Sequence, residues 1–193
     1  MTQTNILITG VGGQGIVLCS KLIAQTAMDR QIPVMSAETI GMAQKGGSVQ
    51  SYLRLGEGAY AAMFPKGTAD LLLSFEPGEA VRMLPYLREG GTAVVNTHAI
   101  MPTTASLSGA SYSGEEMLSY LRKTVPNLIL IDGQEACRKI GSPRALNMVL
   151  LGAALKSRVL PFTVDEVDRV MRRTVRESFR EMNSRALRYC LQE

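Results

Sequence analysis

The chain has 193 residues, 46% of them apolar and 20% charged, with a formal net charge of +4. That balance fits one globular domain over residues 1–193 with a sizeable core, and excludes disordered and fibrous classes. No run approaches the roughly 18 apolar residues of a membrane span, and Met1 to Asn5 has no basic, apolar leader, so a cytoplasmic protein that avoids membranes is expected. Cys19, Cys137 and Cys190 are scattered without a C-x-x-C spacing, and His98 is the single histidine. A disulfide framework, a metal or iron–sulfur site and a histidine-rich catalytic centre are therefore not encoded. Few aromatic residues and no recognition motif argue against nucleic acid.

In chain order, Asn5 to Gly10 is a short apolar run ending in glycine, suited to a buried parallel strand, and apolar residues from Ile16 to Asp29 recur at helical spacing. A second strand is predicted at Pro33 to Ala37, followed by an irregular stretch from Thr39 to Gly47. Ser48 to Leu55 alternates, with Val49, Ser51, Leu53 and Leu55 on one side and Gln50, Tyr52 and Arg54 on the other, which predicts an antiparallel or edge strand with one wetter face. Asp70 to Phe75 and Thr92 to Asn96 are further strands, with a helix from Glu79 to Leu87 stopped by Gly90-Gly91 between them. Residues 96–113 read as a surface excursion with at most a weak strand.

Ser113-Gly114-Glu115-Glu116 has capping-box form and opens a helix to Lys123, before a last core strand at Leu128 to Asp132. Pro143 leads into a helix from Leu146 to Leu155, and a second capping box, Thr163 to Glu166, opens a long amphipathic segment toward Cys190. The alternation predicts an α/β fold: a three-layer α/β/α sandwich around a Rossmann-like, mostly parallel sheet with at least one antiparallel or edge strand and a helical C-terminus. The run Arg169, Arg172, Arg173, Arg176 reads first as a solvated basic face and second as a surface for a partner or an anion.

Gly10-Val11-Gly12-Gly13-Gln14-Gly15 satisfies G-x-G-x-x-G between a strand and a helix, where backbone N–H groups at the helix N-terminus can approach an anion. Glu38, at the end of the second strand, stands about where a dinucleotide fold places the acid that binds ribose hydroxyls. A nicotinamide enzyme is therefore one reading, and plain strand–helix packing is another. Lys45-Gly46-Gly47-Ser48 puts a cation on a turn with exposed amides. Glu76 and Glu79 are placed to cap or charge the next helix. Asn96 and Asn147 are candidates for completing hydrogen bonds around the glycine loop, and the Met and Leu positions from Leu146 to Leu155 read as core.

Taken with Gly10 to Gly15, the segment Ser36-Ala37-Glu38-Thr39-Ile40-Gly41-Met42-Ala43-Gln44-Lys45-Gly46-Gly47-Ser48 resembles the signature of the gamma-type domain of pyruvate/ketoisovalerate/indolepyruvate:ferredoxin oxidoreductases, and is most similar to the indolepyruvate members. Ala69 to Ala80 and Asn147 to Ala153 are similar to two further family segments, so the resemblance spans nearly the whole chain. Lys45 stands where many relatives have arginine, keeping the charge but losing the planar fork.

The resemblance implies oxidative decarboxylation of an aryl 2-oxoacid such as indolepyruvate to its acyl-CoA, with coenzyme A as co-substrate and ferredoxin as electron acceptor. It implies a larger alpha subunit that holds thiamine diphosphate, magnesium and iron–sulfur clusters. This chain, with no grouped cysteines and no G-D-G…N segment, carries no cofactor alone and no catalytic residue. Gly10, Gly12, Gly13, Gln14, Gly15, Glu38, Lys45, Gly46, Gly47 and Ser48 are the expected binding residues, either for the phosphate part of coenzyme A or as packing beside the thiamine site. A stand-alone NAD(P)-binding reductase and a non-catalytic assembly module are the alternatives.

Overall fold

The computed structural model describes residues 3–40, 47–58, 60–101 and 112–191. Six strands form one sheet: β1 (Thr4–Val11), β2 (Val34–Ile40), β3 (Ser48–Leu55), β4 (Ala69–Ser74), β5 (Leu87–Asn96) and β6 (Asn127–Ile131). Their order is β2-β3-β1-β4-β5-β6. β1, β4, β5 and β6 pair in parallel, whereas β3 runs antiparallel between β1 and β2. The alternation of β3 thus marks an antiparallel strand in the sheet interior, and β2 takes the edge.

Among the described residues seven helices cover the two faces: α1 (Ile16–Asp29), α2 (Pro77–Met83), α3 (Gly114–Thr124), α4 (Gly133–Ile140), α5 (Leu146–Lys156), α6 (Val164–Thr174) and α7 (Glu177–Arg188). Because side chains alternate along a strand, Ile6 and Ile8 point to a core shared with α1, α5, α6 and α7, while Leu7 points to a smaller core under α2 and α3. In the smaller core the side chain of Tyr52 is covered by edge contacts with Phe64 and Tyr86, at ring separations of 5.3 and 5.8 Å. The face of β3 read as wetter is therefore dry at Tyr52, which keeps only 2% exposure.

Every residue of α5 from Asn147 to Leu155 is buried, as expected of a helix that is apolar all round and enclosed by neighbours. At Gly152 a Cβ would lie 2.2 Å from the Leu187 carbonyl oxygen, so α5 and α7 approach backbone to backbone. No helix among the described residues is long and apolar enough to cross a membrane.

Several boundaries differ from those predicted. The helix expected over Glu79 to Leu87 ends at Met83. Pro85 lacks an N–H and sits in the tight turn Leu84–Tyr86 that follows. Gly90 and Gly91 lie inside β5, where its register against β4 shifts: Leu87 through Thr92 spans the stretch from Ala69 to Leu71. β2 continues past Ala37 because Glu38, Thr39 and Ile40 keep pairing with Ser51, Gln50 and Val49. The long C-terminal segment is broken at Val175 and Arg176, both extended, which lets α7 turn back onto α5. The helix α4, between Asp132 and Gly141, was not foreseen. The weak strand considered for 96–113 falls mostly at 102–111, outside the described residues.

Candidate functional site

β1 and β4 are neighbours whose following connections leave in opposite directions along the sheet, so the crevice outside their carboxyl ends is a topological switch point. The glycine loop lies there. Gly10 closes β1 so tightly that a Cβ would sit 2.6 Å from Gln14 Oε1 and 2.7 Å from the Phe75 Cβ. Gln14 folds back over the loop: its Oε1 accepts from Val11 N at 2.7 Å, and its Nε2 donates to the Phe75 carbonyl at 3.0 Å. Asn96, at the end of β5, donates to the same carbonyl at 3.0 Å and accepts from Gly133 N at 3.1 Å. Two side-chain amides thus join the ends of β1, β4, β5 and β6.

Gly15 is the N-cap of α1 with φ 87°, in the left-handed region that glycine favours. A Cβ there would meet the Asn147 side-chain nitrogen at 2.6 Å. No side chain caps α1 and no acidic residue stands in its first turn. Its leading N–H groups therefore offer the partial positive charge that favours an anion, an effect of about 0.3–1 kcal/mol for an exposed charge. Asn147 does lie against the loop, and Asn96 does complete hydrogen bonds beside it.

The loop forms the floor of a cleft of about 630 Å³. α7 lines it through Phe179, Met182 and Asn183, and Pro143, Arg144, Asn147, His98 and Ile100 line it from other elements. The Arg144 guanidinium lies 5.7 Å from the Phe179 ring centroid. His98 Nε2 is 3.1 Å from Gln134 Nε2. Sequence reasoning missed His98, Arg144, Phe179, Met182 and Asn183 as site residues. Cation and aromatic ring are far apart in the chain and share no spacing.

Of the expected binding residues, Gly13, Gln14 and Gly15 line the cleft. Gly12 N donates to the Gly47 carbonyl at 2.8 Å, which ties the loop to the start of β3. Ser48 donates to Glu79 Oε2 at 2.7 Å, as does Thr9 at 3.3 Å, on the α2 side of the sheet. Lys45 and Gly46 lie outside the described residues. Glu38 is exposed on β2 and pairs with Ser51, so β3 stands between it and the glycine loop. Two strand spacings, about 10 Å, separate it from β1.

Glu76 caps α2 as expected, accepting from Glu79 N at 2.8 Å, and is only 2% exposed. Its other oxygen accepts from the Tyr112 hydroxyl. Burial first, then this hydrogen bond to a carboxylate, push the Tyr112 phenol above its ordinary range.

The three cysteines are free. Cys19 and Cys190 are buried in separate elements, and burial pushes the Cys19 thiol up to about 12. Among the described residues no group of three His, Cys, Asp or Glu side chains gathers.

The chain is 36% identical to indolepyruvate oxidoreductase subunit IorB of Archaeoglobus fulgidus, over 96% of this chain and 92% of that protein. Among solved structures it is similar to pyruvate oxidoreductase subunit PORC of Thermotoga maritima, with a TM-score of 0.72, 20% identity, and coverage of 100% of this chain and 97% of that one. It is also similar to 2-oxoglutarate:ferredoxin oxidoreductase of Magnetococcus marinus, solved with 2-oxoglutarate, coenzyme A and succinyl-CoA bound. There the TM-score is 0.74 at 18% identity, with 100% of this chain matching 31% of the other. Residues 5–193 match the pyruvate ferredoxin/flavodoxin oxidoreductase family, and the chain belongs to it.

Proposed function

We propose that the chain is the cofactor-free subunit of a cytoplasmic, indolepyruvate-type 2-oxoacid:ferredoxin oxidoreductase. The complex cleaves the bond between the carboxyl and oxo carbons of an aryl 2-oxoacid and releases carbon dioxide. It joins the acyl group to the coenzyme A sulfur and passes the electron pair to ferredoxin. Thiamine diphosphate, with magnesium, and iron–sulfur clusters belong to the larger alpha subunit and supply carbanion stabilisation and electron transfer there. The observation that carries this reading is similarity along 96% of the chain to an indolepyruvate oxidoreductase subunit.

Within that assembly the chain's part is to bind and position. The uncapped N-terminus of α1, with Gly12 to Gly15, receives the phosphate part of coenzyme A, and the cleft above it excludes water from the bound chain. The rival nicotinamide reading is disfavoured by the sheet order, since β3 stands between Glu38 and the loop.

Co-expression with a thiamine- and iron-containing large subunit tests the assignment. A stable complex that reduces ferredoxin with indolepyruvate and coenzyme A, and a chain inactive alone, are the expected results. A chain that stays monomeric beside that subunit, or that reduces an oxoacid alone with NAD(P)H, overturns it.

A further inference from the structure

β2 ends the sheet on one side, and no strand among the described residues pairs with its outer edge. In an antiparallel ladder the N–H and C=O of one residue point the same way, and the direction alternates along the strand. The hydrogen bond from Gly56 N to the Pro33 carbonyl, at 2.9 Å, fixes the alternation here. Met35, Ala37 and Thr39 therefore turn their backbone groups toward β3, while Val34, Ser36, Glu38 and Ile40 turn theirs away from the sheet.

Edge strands are normally blunted by shortness, lysine, proline or a bulge. β2 has seven residues, none of them lysine or proline, and keeps an unbroken register with β3. Met35, Ser36, Glu38 and Thr39 are exposed, so the strand is open on both faces. Such an edge is a template for another strand.

Its own sequence is the strand it fits. Two copies meeting antiparallel about a two-fold axis at Ala37 set Val34 of each against Ile40 of the other, Ser36 against Glu38, and Met35 against Thr39. All the outward backbone groups are then engaged, in about eight hydrogen bonds between the strands. Each Ser36 hydroxyl faces a carboxylate to which it can donate, and the small side chain of Ala37 suits the close pair on the axis. An axis at Glu38 would oppose the two carboxylates directly, which is repulsive. An axis at Ser36 would set Ile40 against Ile32, whose N–H already donates to the Ala27 carbonyl.

We infer that the chain pairs with a second copy of itself through β2, joining two six-stranded sheets into one about an axis at Ala37. β1 and β2 both run antiparallel to β3, so the two glycine loops lie at opposite ends of the joined sheet. No residue that lines the cleft belongs to β2, and the contact stands apart from what the cleft binds.

Sedimentation equilibrium of the full chain, with amide hydrogen exchange, tests the pairing. A reversible dimer is expected, in which exchange at Ser36 and Glu38 slows as the chain is concentrated. Ser36→Glu places like charges opposite each other twice and should raise the dimer dissociation constant at least about tenfold. Adding Glu38→Lys gives both facing pairs opposite signs and should restore the dimer. Both positions are exposed, so the melting temperature of the monomer should not change. A chain that is monomeric at millimolar concentration overturns the inference. So does a dimer that Ser36→Glu leaves intact, one that the second substitution fails to restore, or one in which Ser36 and Glu38 exchange as fast as in the monomer. Protection of β2 only when a large subunit is present would give the edge to a strand of that subunit and overturn the pairing as well.

Discussion

Gly15 meets two demands at once, a left-handed backbone and contact with the Asn147 amide, whereas Gly13, at φ 100°, has open space where a Cβ would go. Alanine at Gly13 should therefore cost only the backbone term, about 1 kcal/mol. Alanine at Gly15 should cost that and the displacement of Asn147, about 3 kcal/mol in all. Urea denaturation of the two variants measures the difference, and equal losses would show that Asn147 yields freely. The glycine pattern was legible because turn geometry is local and the permitted residue types are few. Asn183 and Phe179 were not legible as site residues. On α7 they look like any residues of an amphipathic helix, and only the return of α7 onto α5 carries them to the loop.

Elements were read best where one local rule decided them. α1 runs from Ile16 to Asp29 as its periodicity indicates, and Thr163 and Glu166 form both arms of a capping box. Boundaries failed where tertiary contact prevailed, as in β2, which pairing with β3 prolongs. The break between α6 and α7 belongs to the same class. Asp168 of α6 lies 3.0 Å from Arg172 and 3.4 Å from Arg188 of α7, so the corner is clamped by charge. Burial pushes the Asp168 carboxyl up, but hydrogen bonds from Arg172, Ser184 and Arg188 outweigh it and hold the group below its ordinary 3.8. A carboxyl lowered in the folded state stabilises the fold above its unfolded pKa and loses that contribution as pH falls through the folded value. Thermal melts from pH 5 to pH 2 should thus show a steeper loss below 3.8 in the native chain than in Asp168→Asn. Parallel curves for the two would remove Asp168 from the clamp.

At the scale of the whole molecule the parallel core and helical C-terminus followed from the order of periods along the chain. The strand order did not, because nothing local tells β3 to enter between β1 and β2. That insertion separates the sheet from a nicotinamide-binding one more clearly than any single residue: Glu38 has the sequence spacing of a ribose-binding acid but sits beyond β3.

The amides of Gln14 and Asn96 have a mechanical meaning. Strands in a twisted sheet diverge at their ends, where the backbone ladder stops. Here one additional rung, built from side chains, runs from Val11 through Gln14, Phe75 and Asn96 to Gly133. It couples the glycine loop to the start of α4 across four strands, so the cleft floor is braced before any ligand arrives. Gln14→Leu should remove about 2–3 kcal/mol by stranding Val11 N and leaving the Phe75 carbonyl with a single partner. Amide hydrogen exchange should then quicken at Gly133, at the far end of the rung, as well as at Val11. Faster exchange confined to the loop would mean that each strand end stands alone. A force applied to α4 would, through this rung, be felt at the uncapped N-terminus of α1.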